Sequence, residues 1–143
     1  MLHPAIHVLL PVLAACILNG YIYLMGWNST KSENPLLPPG YVIGIVWIII
    51  LALLGYAHYL VYPSYSSWVI VAAIVYCLMY PFLTNGLKDR MMYLFNGIAL
   101  IFAILVFATC YSTVVESAVY TVPFLLWSVY VNIVTIAYAF GFV

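Results

Sequence analysis

The sequence predicts an all-α integral membrane protein, a single domain over residues 1–143 built as a five-helix transmembrane bundle. Three observations carry this. Hydrophobic residues make up 69% of the chain and charged residues 4%, far from the mix of a water-soluble domain. The six charged residues, Lys31, Glu33, Lys88, Asp89, Arg90 and Glu116, all fall in three short polar breaks. A charge at the centre of a bilayer costs on the order of 3 kcal/mol or more, so the breaks mark where the chain leaves the hydrocarbon. Between breaks the apolar runs are continuous rather than alternating, and reach the roughly 20 residues a helix needs to cross.

The first span is expected from about His3 to Met25. The start Met1-Leu2-His3-Pro4 carries no basic run, so this span is expected to be retained rather than cleaved as a signal. The connection Gly26–Gly40 is the longest. It runs through Asn28, Ser29, Thr30, Lys31, Ser32 and Glu33, then Pro35, Pro38 and Pro39, whose restriction of the preceding residues predicts an ordered or semi-rigid loop. The second span covers about Tyr41 to Val61, and Tyr62-Pro63-Ser64 is a tight turn. The third runs from about Trp68 to Leu87, with Lys88-Asp89-Arg90 as the next turn. The fourth covers Met91 to Thr113 and the fifth Ala118 to Val143. No internal repeat is visible, which disfavours an inverted-repeat transporter.

Five spans place the termini on opposite faces. The connections between spans 1 and 2 and between spans 3 and 4 share a face and hold Lys31, Lys88 and Arg90, every basic residue in the chain. The positive-inside rule puts that face and the C-terminus in the cytoplasm and the N-terminus outside. Asn28-Ser29-Thr30 matches a glycosylation acceptor, but on this topology it is an ordinary polar loop. With zero net charge and no basic patch, nucleic acid is not an expected partner; the lipid bilayer is.

Trp27 and Trp68 sit at span ends, where interfacial aromatic residues belong. Trp47 and Trp127 lie inside spans, where an indole seeks a partner for its N–H; interhelical packing and ligand contact are both open. Helical spacing aligns Gly44, Trp47, Leu51 and His58, and separately Phe124, Trp127, Val131, Val134 and Tyr138; Cys77, Tyr80 and Thr84 share a third face. Aromatic surface with a few uncharged polar groups suits a flat, largely apolar ligand. Counting along the spans places Trp47 and Trp127 in opposite halves of the bilayer.

Asn19, Asn85, Asn96 and Asn132 are expected as buried amides, Asn96 and Asn132 as interhelical hydrogen bonders and Asn19 facing a cavity near the long loop. His3 and His7 are one turn apart, but no acidic residue stands near to orient an imidazole, so no metal site is expected; His58 is a lone histidine. Cys16, Cys77 and Cys110 stand singly in three spans, which disfavours C-x-x-C thiol chemistry. Both lysines lie in loops, excluding a retinal Schiff base within the bundle, and no span holds an acid, which argues against a proton-coupled exporter. Gly40 and Gly44 form a G-x-x-x-G that permits close helix approach, within the chain or between copies.

At the second span, Pro38-Pro39-Gly40-Tyr41-Val42-Ile43-Gly44-Ile45-Val46-Trp47, followed by Leu54-Gly55, resembles the signature P-P-x-W-x-F-x-P-V-W of the TspO/MBR (translocator protein / tryptophan-rich sensory protein) family. Trp47 is retained, while Tyr41, Ile43 and Ile45 replace Trp, Phe and Pro. Val122-Pro123-Phe124-Leu125-Leu126-Trp127 is similar to the family's V-P-Y-L-x-W, and Tyr80-Pro81 with Gly86-Leu87 to its third-helix segment, Tyr80 standing at a Trp. The resemblance covers nearly the whole chain. Cys77 stands where the family usually has Asn and Val131 where it often has Ala, and the family's terminal N-Y-x-x-W-R is absent.

The resemblance implies a pocket open toward the long loop and capped by it, with ligand-binding candidates Asn19, Tyr41, Trp47, Cys77, Tyr80, Phe124, Trp127 and Val131. It implies binding of porphyrins such as protoporphyrin IX or haem as ligands rather than required cofactors, of sterols such as cholesterol, and of synthetic isoquinoline- and benzodiazepine-type ligands. Homodimers are common in the family. Two functions follow. One is a receptor acting in tetrapyrrole sequestration, transport or stress signalling. The other is a light- and oxygen-dependent porphyrin-degrading enzyme working through Trp47 and Trp127. The absence of a general acid–base pair from the sequence favours the first.

Overall fold

Pro4 opens α1 (Pro4–Leu24), where its missing N–H costs nothing, and the His3 ring Nδ1 accepts from the Ala5 N–H at 3.2 Å. Pro39, in extended conformation, stops the loop and starts α2 (Gly40–Val61). After the Tyr62-Pro63 turn come α3 (Tyr65–Thr84), a single 3₁₀ turn Asp89–Met91, α4 (Met92–Thr113) and α5 (Val115–Ala139). All five helices are long and apolar enough to cross a membrane. The computed structural model describes residues 2–27 and 32–143. Asn28-Ser29-Thr30 and Lys31, one of the three basic residues behind the expected orientation, lie outside the described residues.

Two spans are displaced from their expected windows. The third starts three residues early because its opening serines are not loop residues. The Ser66 hydroxyl donates to the Thr109 carbonyl oxygen at 3.0 Å and lies 2.6 Å from the Thr113 hydroxyl, while the Ser67 hydroxyl donates to the Ser64 carbonyl at 2.6 Å. Buried hydroxyls so satisfied sit in a span without penalty. The helix also stops at Thr84, and extended Asn85 carries the chain out. The fifth span likewise starts early, since Val114 alone, in extended conformation, joins α4 to α5. It ends at Ala139 because Gly141 takes φ 77° and closes a Schellman cap: the Phe142 N–H donates to the Ala137 carbonyl at 2.9 Å and the Gly141 N–H to that of Tyr138 at 3.3 Å.

The helices form a ring in which α1 packs on α2, α2 on α5, α5 on α4 and α4 on α3, with α3 closing back on α2 and α1. Ile50, Leu54, Ala57, Ile70, Ala73, Ala103, Val106, Cys110 and Phe124 fill the centre. One amide network ties three helices. The Asn132 side chain donates to the Asn96 carbonyl at 2.7 Å, and the Asn96 side-chain oxygen accepts from the Tyr80 hydroxyl at 2.9 Å. Asn96 and Asn132 are thus the interhelical hydrogen bonders the sequence suggests. Asn19 and Asn85 are exposed instead of buried: Asn19 continues the α1 stripe of Pro11, Ala15 and Ile22 but no neighbouring helix covers it, and Asn85 lies past the end of α3.

The close helix approach does not use Gly40 or Gly44. A Cβ at either would meet nothing within 4 Å, whereas a Cβ at Gly55 would run into the His7 carbonyl of α1. Pro11, four residues after His7, has no N–H, so that carbonyl lacks its usual helical donor and is free to lie against the bare α-carbon of Gly55.

The described part of the long loop is strapped down. The buried Asn34 side chain donates to the Val134 carbonyl at 3.0 Å and accepts from the Leu36 N–H at 3.1 Å. The Tyr130 hydroxyl donates to the Leu36 carbonyl at 2.6 Å, and Asp89 accepts from the Ser32 hydroxyl at 3.0 Å and the Glu33 N–H at 2.6 Å. Asp89→Ala removes two hydrogen bonds to a charged acceptor at an exposed site, together worth about 1–2 kcal/mol. The expected result is roughly tenfold faster cleavage at Glu33 by a glutamate-specific protease, with the thermal stability of the bundle little changed. Unchanged cleavage would show that Asp89 does not hold the loop.

Candidate functional site

Between α2 and α5 runs an apolar groove of about 530 Å³, lined by Val46, Ile49, Ile50, Pro123, Leu126, Trp127 and Tyr130. Its residues recur every three or four positions, so each helix presents one continuous stripe to it. The Trp127 and Tyr130 rings lie with centroids 5.4 Å apart along one wall. The Trp127 indole N–H is buried and has no hydrogen-bond partner among the described residues, and neither has the Ser128 hydroxyl of the same turn. A buried donor left unsatisfied costs about 1–3 kcal/mol, which an acceptor on a ligand would recover.

Beside the groove, Trp47 meets Phe124 with ring centroids 6.2 Å apart. Phe124 is 1% exposed. The two tryptophans are therefore not held in opposite halves of the bilayer. The true window of α5 puts Trp127 at its midpoint, and Trp47 packs against the same buried cluster as Trp127. Cys77 packs against that cluster from α3, and Val131 is buried one turn beyond Trp127. The remaining expected residues are placed elsewhere. Tyr80 gives its hydroxyl to Asn96, Tyr41 is 73% exposed in the first turn of α2, and Asn19 is exposed on α1.

A model of the TspO/MBR family matches residues 7–140, nearly the whole chain. The chain belongs to the TspO/MBR family. No curated protein and no solved structure matches it.

Within this TspO/MBR bundle the signature segments have identifiable structural jobs. Pro38-Pro39-Gly40 ends the loop and opens α2, which carries Trp47 two turns in. Pro123 and Trp127 line the α5 side of the groove, and Phe124 supplies its aromatic backing. The expected faces miss Val46, Ile49, Leu126 and Tyr130. These are stripes neighbouring those through Trp47 and Trp127: the same periodicity taken one residue earlier finds Val46, Leu126 and Tyr130, and Ile49 lies three residues beyond Val46.

For Tyr80 the geometry separates two roles. Tyr80→Phe removes the bond to Asn96 and is expected to lower stability by about 0.5–1.5 kcal/mol. Its effect on protoporphyrin affinity is expected to stay within about twofold, read by titration beside the parent protein. A larger loss of affinity than of stability would return Tyr80 to the binding site.

Proposed function

We propose that this protein is a membrane binding protein or receptor for porphyrins, such as protoporphyrin IX or haem, or similar flat apolar ligands such as sterols. It would act in tetrapyrrole sequestration, transport or stress signalling. The observation that carries the reading is the α2–α5 groove, apolar along its length and holding the unpartnered indole N–H of Trp127 beside Tyr130. Such a site combines wide apolar contact with one fixed polar group, the pattern of small-molecule pockets. Family membership supports the ligand class. The porphyrin binds as ligand, not as a required cofactor, and a homodimer is part of the proposal.

Titrating purified protein in the dark with protoporphyrin IX tests it. Saturable quenching of tryptophan fluorescence with a shifted Soret band is expected, and the absence of saturable binding would reject it. A second reading, light- and oxygen-dependent porphyrin degradation through Trp47 and Trp127, draws on the oxidisable rings of Trp127 and Tyr130 in the groove and of Trp47 beside it.

Orientation belongs to the same proposal: N-terminus outside, C-terminus and the Arg90 face in the cytoplasm. Ser32→Cys and Tyr65→Cys, made with Cys16, Cys77 and Cys110 replaced by alanine, should react from opposite sides with a membrane-impermeant maleimide in intact cells. Only Tyr65→Cys, 62% exposed at the start of α3, should be labelled from outside. Outside labelling of Ser32→Cys would reverse the orientation.

A further inference from the structure

At the opposite end of the bundle from the long loop lies a cavity of about 620 Å³ between α1 and α3, floored by α2 at Gly55 and His58. His7, in the first turn of α1, and His58, in the last turn of α2, meet there with Nδ1 atoms 2.8 Å apart. The rest of the lining is apolar but for Tyr62. It follows α1 through Leu10 and Pro11 to Ala14, roughly 10 Å deeper than His7 at 1.5 Å per residue. Leu10 is 66% and Val75 52% exposed, so the cavity opens sideways where lipid chains would run.

The Nδ1–Nδ1 contact constrains the chemistry. In a neutral pair one ring donates its Nδ1–H to the other. The donor ring then has a bare Nε2, an acceptor, and the other ring carries its hydrogen on Nε2, a donor. The site offers one acceptor and one donor, and the Nε2 of His7 is buried without a partner among the described residues. A hydroxyl both donates and accepts, so it satisfies a free Nε2 of this pair in either tautomer, whereas a carboxylate only accepts and an ammonium only donates. None of the lining residues is Lys, Arg, Asp or Glu, so nothing there neutralises a charged headgroup.

We infer that the α1–α3 cavity is a lateral lipid site for a neutral long-chain alcohol, with its hydroxyl at the His7–His58 pair and its chain running along α1 toward Ala14. This site is separate from the α2–α5 groove and stands whether or not that groove binds porphyrin.

Photolabelling tests it, with purified protein in phosphatidylcholine vesicles and a hexadecanol bearing a mid-chain diazirine, at mildly alkaline pH. Label is expected in residues 2–14 and 71–78. Excess hexadecanol should suppress it, while hexadecane, hexadecanoate and protoporphyrin IX should not. His58→Phe should cut labelling about fivefold, the worth of one hydrogen bond. Ala14→Phe leaves both imidazoles in place and shortens the cavity, so labelling by the hexadecanol probe should fall while a diazirine-bearing decanol still labels. Equal competition by hexadecane would reduce the site to ordinary lipid contact and overturn the inference. So would stronger competition by hexadecanoate, displacement by protoporphyrin, or labelling indifferent to both variants.

Discussion

Gly55→Ala is expected to destabilise the bundle by about 3 kcal/mol, at the upper end of the cost of overpacking. The added methyl would collide with the His7 carbonyl, with the Val8 α-carbon only 3.0 Å away. Both are backbone atoms, so no side chain can swing aside and α1 itself must move. Moving α1 would also part His7 from His58. Gly44→Ala is the matched control. Its Cβ meets nothing within 4 Å, so the change should gain up to about 1 kcal/mol from helix propensity alone. The two substitutions should therefore shift stability in opposite directions when the protein is unfolded by SDS in mixed micelles and followed by tryptophan fluorescence. Equal shifts would mean that α1 and α2 do not touch at Gly55.

Trp127→Ala is expected to weaken dark protoporphyrin binding about thirtyfold, near 2 kcal/mol, as loss of a central aromatic contact does in well-packed sites. Trp127→Phe should cost only a few-fold, because a ring remains in the groove. Illumination separates receptor from enzyme. A receptor should show dark and illuminated binding changing together in Trp47→Phe and Trp127→Phe, with no new pigment formed. A photo-oxidase needs an oxidisable indole, and the phenyl ring of Phe is far harder to oxidise. Loss of an illuminated product at unchanged dark affinity in both variants would select the enzyme over the receptor.

The spans could be read from the sequence because charge in hydrocarbon is so costly that six residues mark three of the four breaks between five helices, and Tyr62-Pro63-Ser64 marks the fourth. Their ends were less legible. Ser66 and Ser67 look like turn residues until α4 supplies the Thr109 carbonyl, and a one-residue connection at Val114 puts Glu116 and Ser117 in the first turn of α5 rather than in the break. That three-residue displacement of α5 is what misplaced Trp127 in depth. The tryptophans and the two signature segments were visible as candidates, whereas the stripe through Val46, Ile49 and Tyr130 depends on rotation of the helices about their axes, which tertiary packing sets. The pairing of His7 with His58 is likewise tertiary. Sequence spacing pointed to His3, which instead lies at the exposed N-terminus of α1 and accepts from Ala5.

Tyr130 makes two contacts at once. Its ring lies against Trp127 in the groove, and its hydroxyl holds the loop at Leu36. A ligand that turned Tyr130 aside would break the loop's 2.6 Å hydrogen bond, and the free energy spent there would be subtracted from its binding. By thermodynamic reciprocity, anything that seized the loop in its released form would tighten the groove's hold on such a ligand by the same factor. Were a ligand to turn Tyr130 aside, one hydroxyl would make groove occupancy legible on the surface of the bundle, as a two-position signal open to a partner with no access to the lipid.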